Sequence, residues 1–540
     1  MKSLIKLILL LVLVVLVLLP SLRTLVVSFQ TDQGLSFENY EYIFKTEGSK
    51  IAIRNTLVMG LLTVLICGFI GTFLAFFVHY FDFPFRKLLD RILLLPLVVP
   101  GLIIVFAFVQ LYGESGMVTK TLETVFGLEK PLYKLVGLPG ILIVHAYTQY
   151  IYFYMNVSVA IKELDKSVLE ASINLGASPF KVFKSVILPY IKPALISSSI
   201  LTFMTGIGSF SAPNIIGGGY KVLTTQILLA KANLYMNLAA AQVVVLFLFA
   251  MSYMGIARYY EKKTSFATGS REHVIEPKKI KSKIANGVMV IIALSIVIMI
   301  FLPIITIVAL SFVKSGTWMI EIYPKDFGLE NYMDIFTKSR SLAPFMNSIK
   351  MALLAAFLAV TVAVPAAYIT TKTETKLKPL YEFLLMLPFA LPASAIAINM
   401  INGFSTLLLG KWLMLPLAYF ISMLPMAVRS VTISYERLKD VYGEASVNLG
   451  AGRIRTFMSV IFPLIAPGIW SGLLLVFIRS LGEYTISTFL YTAGNRPISI
   501  AMVNAIFEFE IGLAMAYGTL VLLLTFIGSG ILKKLQVYIE

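Results

Sequence analysis

Cysteine and histidine are scarce in this sequence, which has one cysteine and three histidines among 540 residues. A single cysteine, Cys67, excludes disulfides within the chain, Cys-based zinc sites and iron–sulfur ligation. His79, His145 and His273 lie too far apart in sequence for the spacing of metal ligands. The sequence therefore predicts no metal site. Two interpretations of His145 remain, a pore residue or a hydrogen-bonded core histidine, and we favour the second.

Charged residues are also few, at 14% against 58% hydrophobic residues. That balance excludes a string of soluble domains and predicts a polytopic membrane protein. The formal net charge of +17 comes from Lys and Arg that gather between apolar runs. This is the positive-inside distribution of a membrane protein, so we expect a lipid membrane and no nucleic acid among its partners.

The sequence lacks a phosphate-binding loop and a signal-peptide cleavage site. No Gly-rich phosphate loop of the GxxxxGK[ST] type occurs, so we predict no nucleotide-binding site on this chain, no enzymatic activity and no cofactor bound directly. The apolar N-terminal run resembles a signal peptide, but the first alanine is Ala52, so no Ala-x-Ala cleavage site precedes it. We therefore predict an uncleaved first membrane helix with its N-terminus in the cytoplasm.

Long apolar runs predict about twelve membrane helices, each of ~20 residues or more. The runs lie near residues 4–28, 56–79, 90–112, 138–160, 190–209, 235–257, 285–311, 348–370, 380–404, 411–430, 468–487 and 512–532. The predicted fold is an all-α polytopic membrane protein with two parallel six-helix repeats.

The repeat is visible in paired motifs. Glu38-Asn39-Tyr40 returns at Glu330-Asn331-Tyr332, and Pro96 returns at Pro388, both with an offset of 292 residues. Beyond an insertion around 114–137, which we expect to be a surface loop, the offset falls to 274. We predict a first half at 1–257, a basic cytoplasmic linker at 258–284 and a second half at 285–540.

The strongest repeat is EASINLGASPFKVFKSVILPYIKP at 170–193, which returns as EASVNLGAGRIRTFMSVIFPLIAP at 444–467 with 14 of 24 positions identical. Both copies are polar islands between apolar runs. In each we expect a short helix, a turn or close contact at a glycine, and a second short helix that ends at a proline. We expect the function of the two loops to depend on the repeated residues, which are Glu170, Ala171, Gly176, Pro189, Glu444, Ala445, Gly450 and Pro463.

These residues resemble the EAA loop of binding-protein-dependent ABC importer permeases, in which Glu-Ala-Ala, a glycine and Leu-Pro stand at fixed spacings. Ser172 and Ser446 replace the third residue of Glu-Ala-Ala, and Phe462 replaces the leucine before the second proline. The resemblance implies coupling loops that dock on two cytoplasmic ATPase subunits, which hold the ATP, and a solute-binding protein outside the membrane. It also implies alternating access and a bacterial or archaeal cytoplasmic membrane, with both termini in the cytoplasm.

Polar side chains within the apolar runs are candidates for a pore or gate, because such groups are tolerated at membrane depth only where they line a cavity or are buried. The candidates are Ser209, Asn214, Gln110, Asn402, Tyr150, Arg479 and Glu483. Outer re-entrant loops also explain the first two, and an interfacial aromatic belt also explains Tyr150. Arg479 and Glu483 stand four residues apart, so we predict an ion pair between them.

Two other classes of function compete with the importer. A secondary transporter with internal repeats, driven by an ion gradient, needs ionisable groups near the midplane, whereas the acidic residues here fall toward the outer ends. A membrane sensor needs a larger soluble domain than the linker. Among importers, single-chain permeases with two such halves resemble ferric-iron importers most often, so ferric iron is the favoured cargo. Thiamine, spermidine or putrescine, and 2-aminoethylphosphonate are alternatives.

Overall fold

A computed structural model of the chain describes residues 2–264, 277–279, 282–314, 316 and 322–537. His273 and much of the predicted linker lie outside the described residues. The regular structure is almost entirely helical, which confirms the predicted fold class.

The helices up to the linker are α1 (Lys2–Leu13), α2 (Leu19–Ser28), α3 (Glu38–Lys45), α4 (Glu47–Tyr80), α5 (Arg86–Ile92), α6 (Gly101–Tyr112), α7 (Met117–Phe126), α8 (Gly137–Lys162), α9 (Lys166–Asn174), α10 (Pro179–Val182), α11 (Leu188–Ile207), α12 (Ser211–Ile216), α13 (Leu223–Ala232) and α14 (Met236–Thr264). The later helices are α15 (Lys283–Leu310), α16 (Glu330–Thr337), α17 (Ser339–Lys372), α18 (Lys378–Ala390), α19 (Ala393–Leu408), α20 (Met414–Arg437), α21 (Val441–Asn448), α22 (Arg453–Thr456), α23 (Phe462–Leu481), α24 (Thr485–Leu490), α25 (Ile498–Phe507) and α26 (Ile511–Val537). Strands β1 (Gln30–Thr31) and β2 (Gly34–Leu35) pair antiparallel, and β3 (Phe81–Asp82) pairs parallel with β4 (Lys278–Lys279).

Ten helices among the described residues are long and apolar enough to cross a membrane, or eleven if α18 and α19, which meet at a bend of 113°, form one span. The predicted fourth span is α8, which has 26 residues but carries many polar side chains. The predicted third span, 90–112, begins later than expected: α5 ends at Ile92, α6 begins only at Gly101, after Pro96 and Pro100, and the candidate span is Gly101–Phe126. The insertion around 114–137 contains helix α7 and is not loop throughout.

Three leucine-proline or phenylalanine-proline steps lie just after π-helical turns. The turns are Val14–Leu18, Phe183–Ile187 and Phe457–Ile461, and Pro20, Pro189 and Pro463 follow them. Proline lacks the N–H that an α-helix needs at this position, and the wider π turn lets the helix continue past it. The expected breaks at Pro189 and Pro463 are therefore wrong: continuous helices run over Pro179–Ile207 and Ile454–Leu481.

One compact unit comprises Met1–Tyr42, Ile227–Val244 and Ile307–Glu540. Within it, α2 packs on α19, and a methyl group added to Gly403 would lie 2.8 Å from Pro20. Asn39 donates to the backbone carbonyls of Ser28 and Gln30, at 3.1 and 3.0 Å. Asn331 makes the matching bonds to Ser311 and Val313, at 2.9 and 2.7 Å, so the repeated Glu-Asn-Tyr motif is a repeated cap on the end of a membrane helix.

The other compact unit comprises Ile43–Gln226 and Val245–Thr306. Its core joins α4, α8 and the loop-proximal part of α11 with Ala293 and Ile300 of α15. Tyr147 of α8 donates to the carbonyl of Ile300 at 2.7 Å. Each unit thus consists mainly of one sequence repeat together with the first helix of the other repeat. The boundaries 1–257 and 285–540 remain a prediction about the repeats.

Candidate coupling loops and membrane-depth polar residues

Helices α9 and α21 each end at a glycine in the left-handed region, Gly176 with φ +79° and Gly450 with φ +85°. Gly176 N–H bonds the carbonyl of Ile173, and Ala177 N–H bonds that of Ser172, at 2.9 and 3.1 Å. This is the Schellman ending of a helix, which favours glycine because a β-carbon is strained there. A methyl group on either glycine meets nothing within 4 Å, so backbone conformation and not close packing within the chain requires glycine here.

Large apolar side chains stand exposed on both loops at equivalent positions. Leu175 is 88% exposed and Leu449 is 89% exposed, and Phe180 and Ile454 are 75% and 70% exposed. Glu170, Ala171, Glu444 and Ala445 are exposed as well. Apolar groups repeated on two exposed loops are typical of an interaction surface.

The first loop is capped at its start, and the second is held against the end of a membrane helix. Asp165 accepts from the backbone N–H of Ser167 at 2.8 Å and caps α9. Lys372 of α17 lies 2.9 Å from Asp440 before α21, and it also donates to the carbonyl of Leu438 at 2.6 Å. These contacts link a movement of the second loop to the end of a membrane helix.

A cavity of about 710 Å³ lies behind the second loop. It extends from α21 to the ends of α17 and α20, and its walls include Ile5, Tyr368, Tyr435 and Phe457. The second loop therefore has open space on its inner side as well as an exposed outer surface.

His145 is buried and bonded at both ring nitrogens. Its Nδ1 lies 2.8 Å from the hydroxyl of Thr63, and its Nε2 lies 2.9 Å from the hydroxyl of Ser209. The thiol of Cys67 contacts the His145 carbonyl at 3.4 Å. The interpretation of His145 as a satisfied core histidine is thus confirmed, and Ser209, a pore candidate, is its partner. Thr224 also donates to the Ser209 carbonyl at 2.8 Å.

The equivalent place in the second half uses different chemistry. Tyr419 stands where the first half has His145, and its hydroxyl lies 2.7 Å from that of Ser487. Glu483 accepts from the backbone N–H groups of Ile486 and Ser487, both at 3.0 Å, at the start of α24. Charge-assisted bonds of this kind hold a carboxylate in place.

The predicted ion pair between Arg479 and Glu483 is wrong: among the described residues, no salt bridge joins them. The helix α23 ends at Leu481, so the i,i+4 geometry on which the prediction rested does not extend to Glu483. The Glu483 carboxylate instead turns forward to the N-terminus of the next helix.

The remaining pore candidates lie apart in several environments. Tyr150 is buried and donates to the Leu93 carbonyl at 2.6 Å. Asn402 is buried and donates to the Thr24 hydroxyl at 3.1 Å. Gln110 is half-buried, and Asn214 is exposed on α12. Their roles in a pore stay predictions.

Sequence reasoning missed Arg429, an exposed arginine inside the membrane helix α20. The signal was available, because Arg429 is the one charged residue in the run LAYFISMLPMAVRSVTIS. Among the described residues, no group of three or more His, Cys, Asp and Glu side chains is placed to hold a metal ion.

Comparison with known proteins identifies the family. The model of the "Binding-protein-dependent transport system inner membrane component" family matches twice, at residues 67–266 and 356–537. A probable ABC transporter permease protein, y4fN of Sinorhizobium fredii, is 27% identical over 478 residues, which cover 87% of this chain and 84% of that protein.

Several of the relatives carry ferric names. The Fe(3+)-transport system permease protein FbpB 2 of Haemophilus influenzae is 25% identical, with 94% of each chain covered. The ferric transport system permease protein FbpB of Actinobacillus pleuropneumoniae is 25% identical over 79% of this chain and 63% of its own length. Two matches to one family model, in a chain with this many apolar helices, fit two fused permease domains. The chain belongs to the family of binding-protein-dependent transport system inner membrane components, the permeases of ABC transporters.

Proposed function

We propose that this chain is the membrane permease of an ABC importer, with two fused halves, and that it moves a small polar solute inward by alternating access. Two separate ATPase subunits supply the energy, one on each loop, and a solute-binding protein delivers the cargo from outside. The chain lies in a bacterial or archaeal cytoplasmic membrane with both termini on the ATPase side. The observation that carries the proposal is the pair of loops with leucines exposed at equivalent positions.

A single exposed leucine is ordinary, but each loop exposes a leucine together with a second large apolar side chain, Phe180 or Ile454. Apolar surface left in water costs free energy, and a partner's groove would remove that cost. The Schellman ending fixes where Leu175 and Leu449 point, so each loop is ready to dock without large rearrangement. The link from Lys372 to Asp440 gives movement of the second loop a route to α17.

Ferric iron is the favoured cargo on the names of the relatives. A spermidine/putrescine permease, PotB of Haemophilus influenzae, is 28% identical over 39% of this chain, and a putative 2-aminoethylphosphonate permease, PhnU of Salmonella typhimurium, is 26% identical over 44%. Those solutes and thiamine are therefore the alternative cargoes. A transporter driven by an ion gradient is the alternative mechanism, and the capping role of Glu483 disfavours it because that carboxylate is already bonded.

The docking surface is tested by placing a charge on it. Leu175→Asp and Leu449→Asp, each purified with the co-expressed ATPase, are expected to lower ATPase recovery at least tenfold, since a carboxylate would enter an apolar contact. Leu132→Asp is the matched control, because Leu132 is also exposed but lies far along the chain from either loop. Full ATPase recovery with both loop variants would contradict the proposal.

A further inference from the structure

Arg429 lies deep within a membrane helix. Helix α20 has 24 residues, and Arg429 stands 3.5 residues past its midpoint, or ~5 Å along the axis at the α-helical rise. The side chain is exposed, and none of the described residues forms an ion pair or hydrogen bond with its guanidinium.

An unpaired arginine at this depth does not face lipid without a large cost. Moving a guanidinium from water into the bilayer centre is costly, so charged side chains within membrane helices are rare. Such residues therefore face water-filled paths or partners. Pro425 lies one turn before Arg429 in the same helix, and it has no N–H to donate to the Ile421 carbonyl.

Arg429 has no charged counterpart in the first half of the chain. The equivalent position in the first half is Met155, which is also exposed, at 43%. Exposure is thus a shared property of the two positions, and the charge is specific to the second half. A structural requirement of the repeat would be expected in both.

Arg479 is a second cation without an acidic partner among the described residues. Its counterpart Thr205 donates to Gln149 at 2.8 Å, but the residue equivalent to Gln149 is Met423, which offers no such bond. Glu483, the nearest acid in sequence, is bonded to the backbone of α24.

The two arginines lie at successive depths on neighbouring helices. Gly472 of α23 packs against Ala427 of α20, where an added methyl group would lie 3.4 Å from the Ala427 Cα. Arg429 is therefore close to the level of Gly472. Arg479 stands seven residues further along α23, ~10 Å away along its axis.

We propose that Arg429, with Arg479 before it, contacts the cargo during transport, and that the cargo carries a carboxylate, phosphate or phosphonate group. The inference rests on the proposed importer function and narrows its substrate class. A guanidinium binds such groups through two parallel hydrogen bonds, and it repels cations. Ferric iron fits this path only as a complex of net negative charge, and spermidine and thiamine do not fit.

The first test is uptake by the complete transporter in proteoliposomes with ATP inside. The probes are ferric citrate, 2-aminoethylphosphonate, spermidine and thiamine, each offered with the cognate binding protein. We expect ATP-driven accumulation of one of the first two, and a fall of ten- to a hundredfold with Arg429→Gln. Arg429→Lys should retain more uptake than Arg429→Gln, and Arg258→Gln, which removes a cytoplasmic-linker charge, should change nothing.

Other results overturn the inference. ATP-driven uptake of spermidine or thiamine would overturn the inference but leave the importer function intact. Unchanged uptake of an anionic probe by Arg429→Gln would overturn it in the same way. If the loss in Arg429→Gln occurs only in vesicles that contain phosphatidylglycerol, the arginine binds a lipid headgroup and not cargo. If ATP drives the accumulation of none of the four probes, the result counts against the proposed importer function instead.

A binding measurement keeps the test independent of transport. The purified chain in nanodiscs is heated with millimolar phosphate or citrate, and with chloride at equal ionic strength. We expect the oxyanions to raise Tm for the native chain and not for Arg429→Gln. No difference between oxyanion and chloride in the native chain would overturn the inference.

Discussion

The carboxylate of Glu483 bonds the backbone N–H of Ser487 at 3.0 Å, so it fastens the start of α24 and does not neutralise Arg479. We expect Glu483→Ala to lower stability by about 1–3 kcal/mol, because two backbone donors lose a charged acceptor. In a double-mutant cycle on Tm, Glu483→Ala and Arg479→Gln should act additively. If Arg479→Gln partly rescues Glu483→Ala, the two side chains interact as an ion pair, and this account of Glu483 is wrong.

Gly176 and Gly450 are required by backbone conformation. Replacement by valine places a side chain in the left-handed region, at a cost of about 1–2 kcal/mol per residue, and should unravel the helix end that presents the exposed leucine. We expect ATP hydrolysis to be uncoupled from uptake. Asn tolerates this conformation better, so Gly176→Asn should keep more coupling than Gly176→Val. Gly443→Ala is the control, since Gly443 has neither positive φ nor close neighbours. Equal coupling in the Asn and Val variants would contradict the conformational argument.

Much of this arrangement was predictable. Two loops, two repeats and most spans follow from residue spacing alone, because a repeated pattern imposes repeated local structure. Asn39 and Asn331 illustrate it, since both cap a membrane helix. Three features were not predictable. The π turns before Pro189 and Pro463 depend on how the backbone hydrogen bonds rearrange around each proline. The cap made by Glu483 depends on where α23 ends. The partners of His145 depend on packing between helices that are distant in sequence.

Each compact unit contains the first helix of the other sequence repeat, so each half of the chain needs the other half even if the linker is cut. Asn399 and Asn402 of α19 donate to the hydroxyls of Ser21 and Thr24 on the first membrane helix, at 3.0 and 3.1 Å. A chain cut between Thr268 and Gly269 should therefore still transport when both pieces are co-expressed. The second piece alone should be degraded, because buried amides lose their partners. Membrane levels of each piece, alone and together, measure this, and a stable second piece on its own would contradict it.

Asp90 ties α5 to α8 and to His79. Its carboxylate accepts from the Tyr154 hydroxyl at 2.5 Å and lies 3.5 Å from His79 Nε2. The His79 imidazole, with the Tyr154 hydroxyl, lowers the pKa of Asp90 from 3.8 to about 2. A depressed pKa means that the folded state prefers the ionised form, so the stabilisation is complete above pH 3.8 and is lost as pH falls toward 2.

We therefore expect Asp90→Asn to have a lower Tm than the native chain at neutral pH, with a gap that stays constant down to about pH 5 and closes below pH 4. Asp82→Asn is the control, because Asp82 is more exposed and lies 3.8 Å from the Arg86 guanidinium. A gap that persists unchanged to pH 2 would show that Asp90 acts through shape and not through charge.

The most direct test of the importer account is uptake in proteoliposomes that contain this chain, its ATPase and its binding protein, with ATP inside and an uncoupler added. The account expects uptake to require ATP and to continue at full rate after the proton gradient is dissipated, because ATP on the partner subunits, and not the proton gradient, supplies the energy. Uptake that stops with the uncoupler at constant ATP would contradict it.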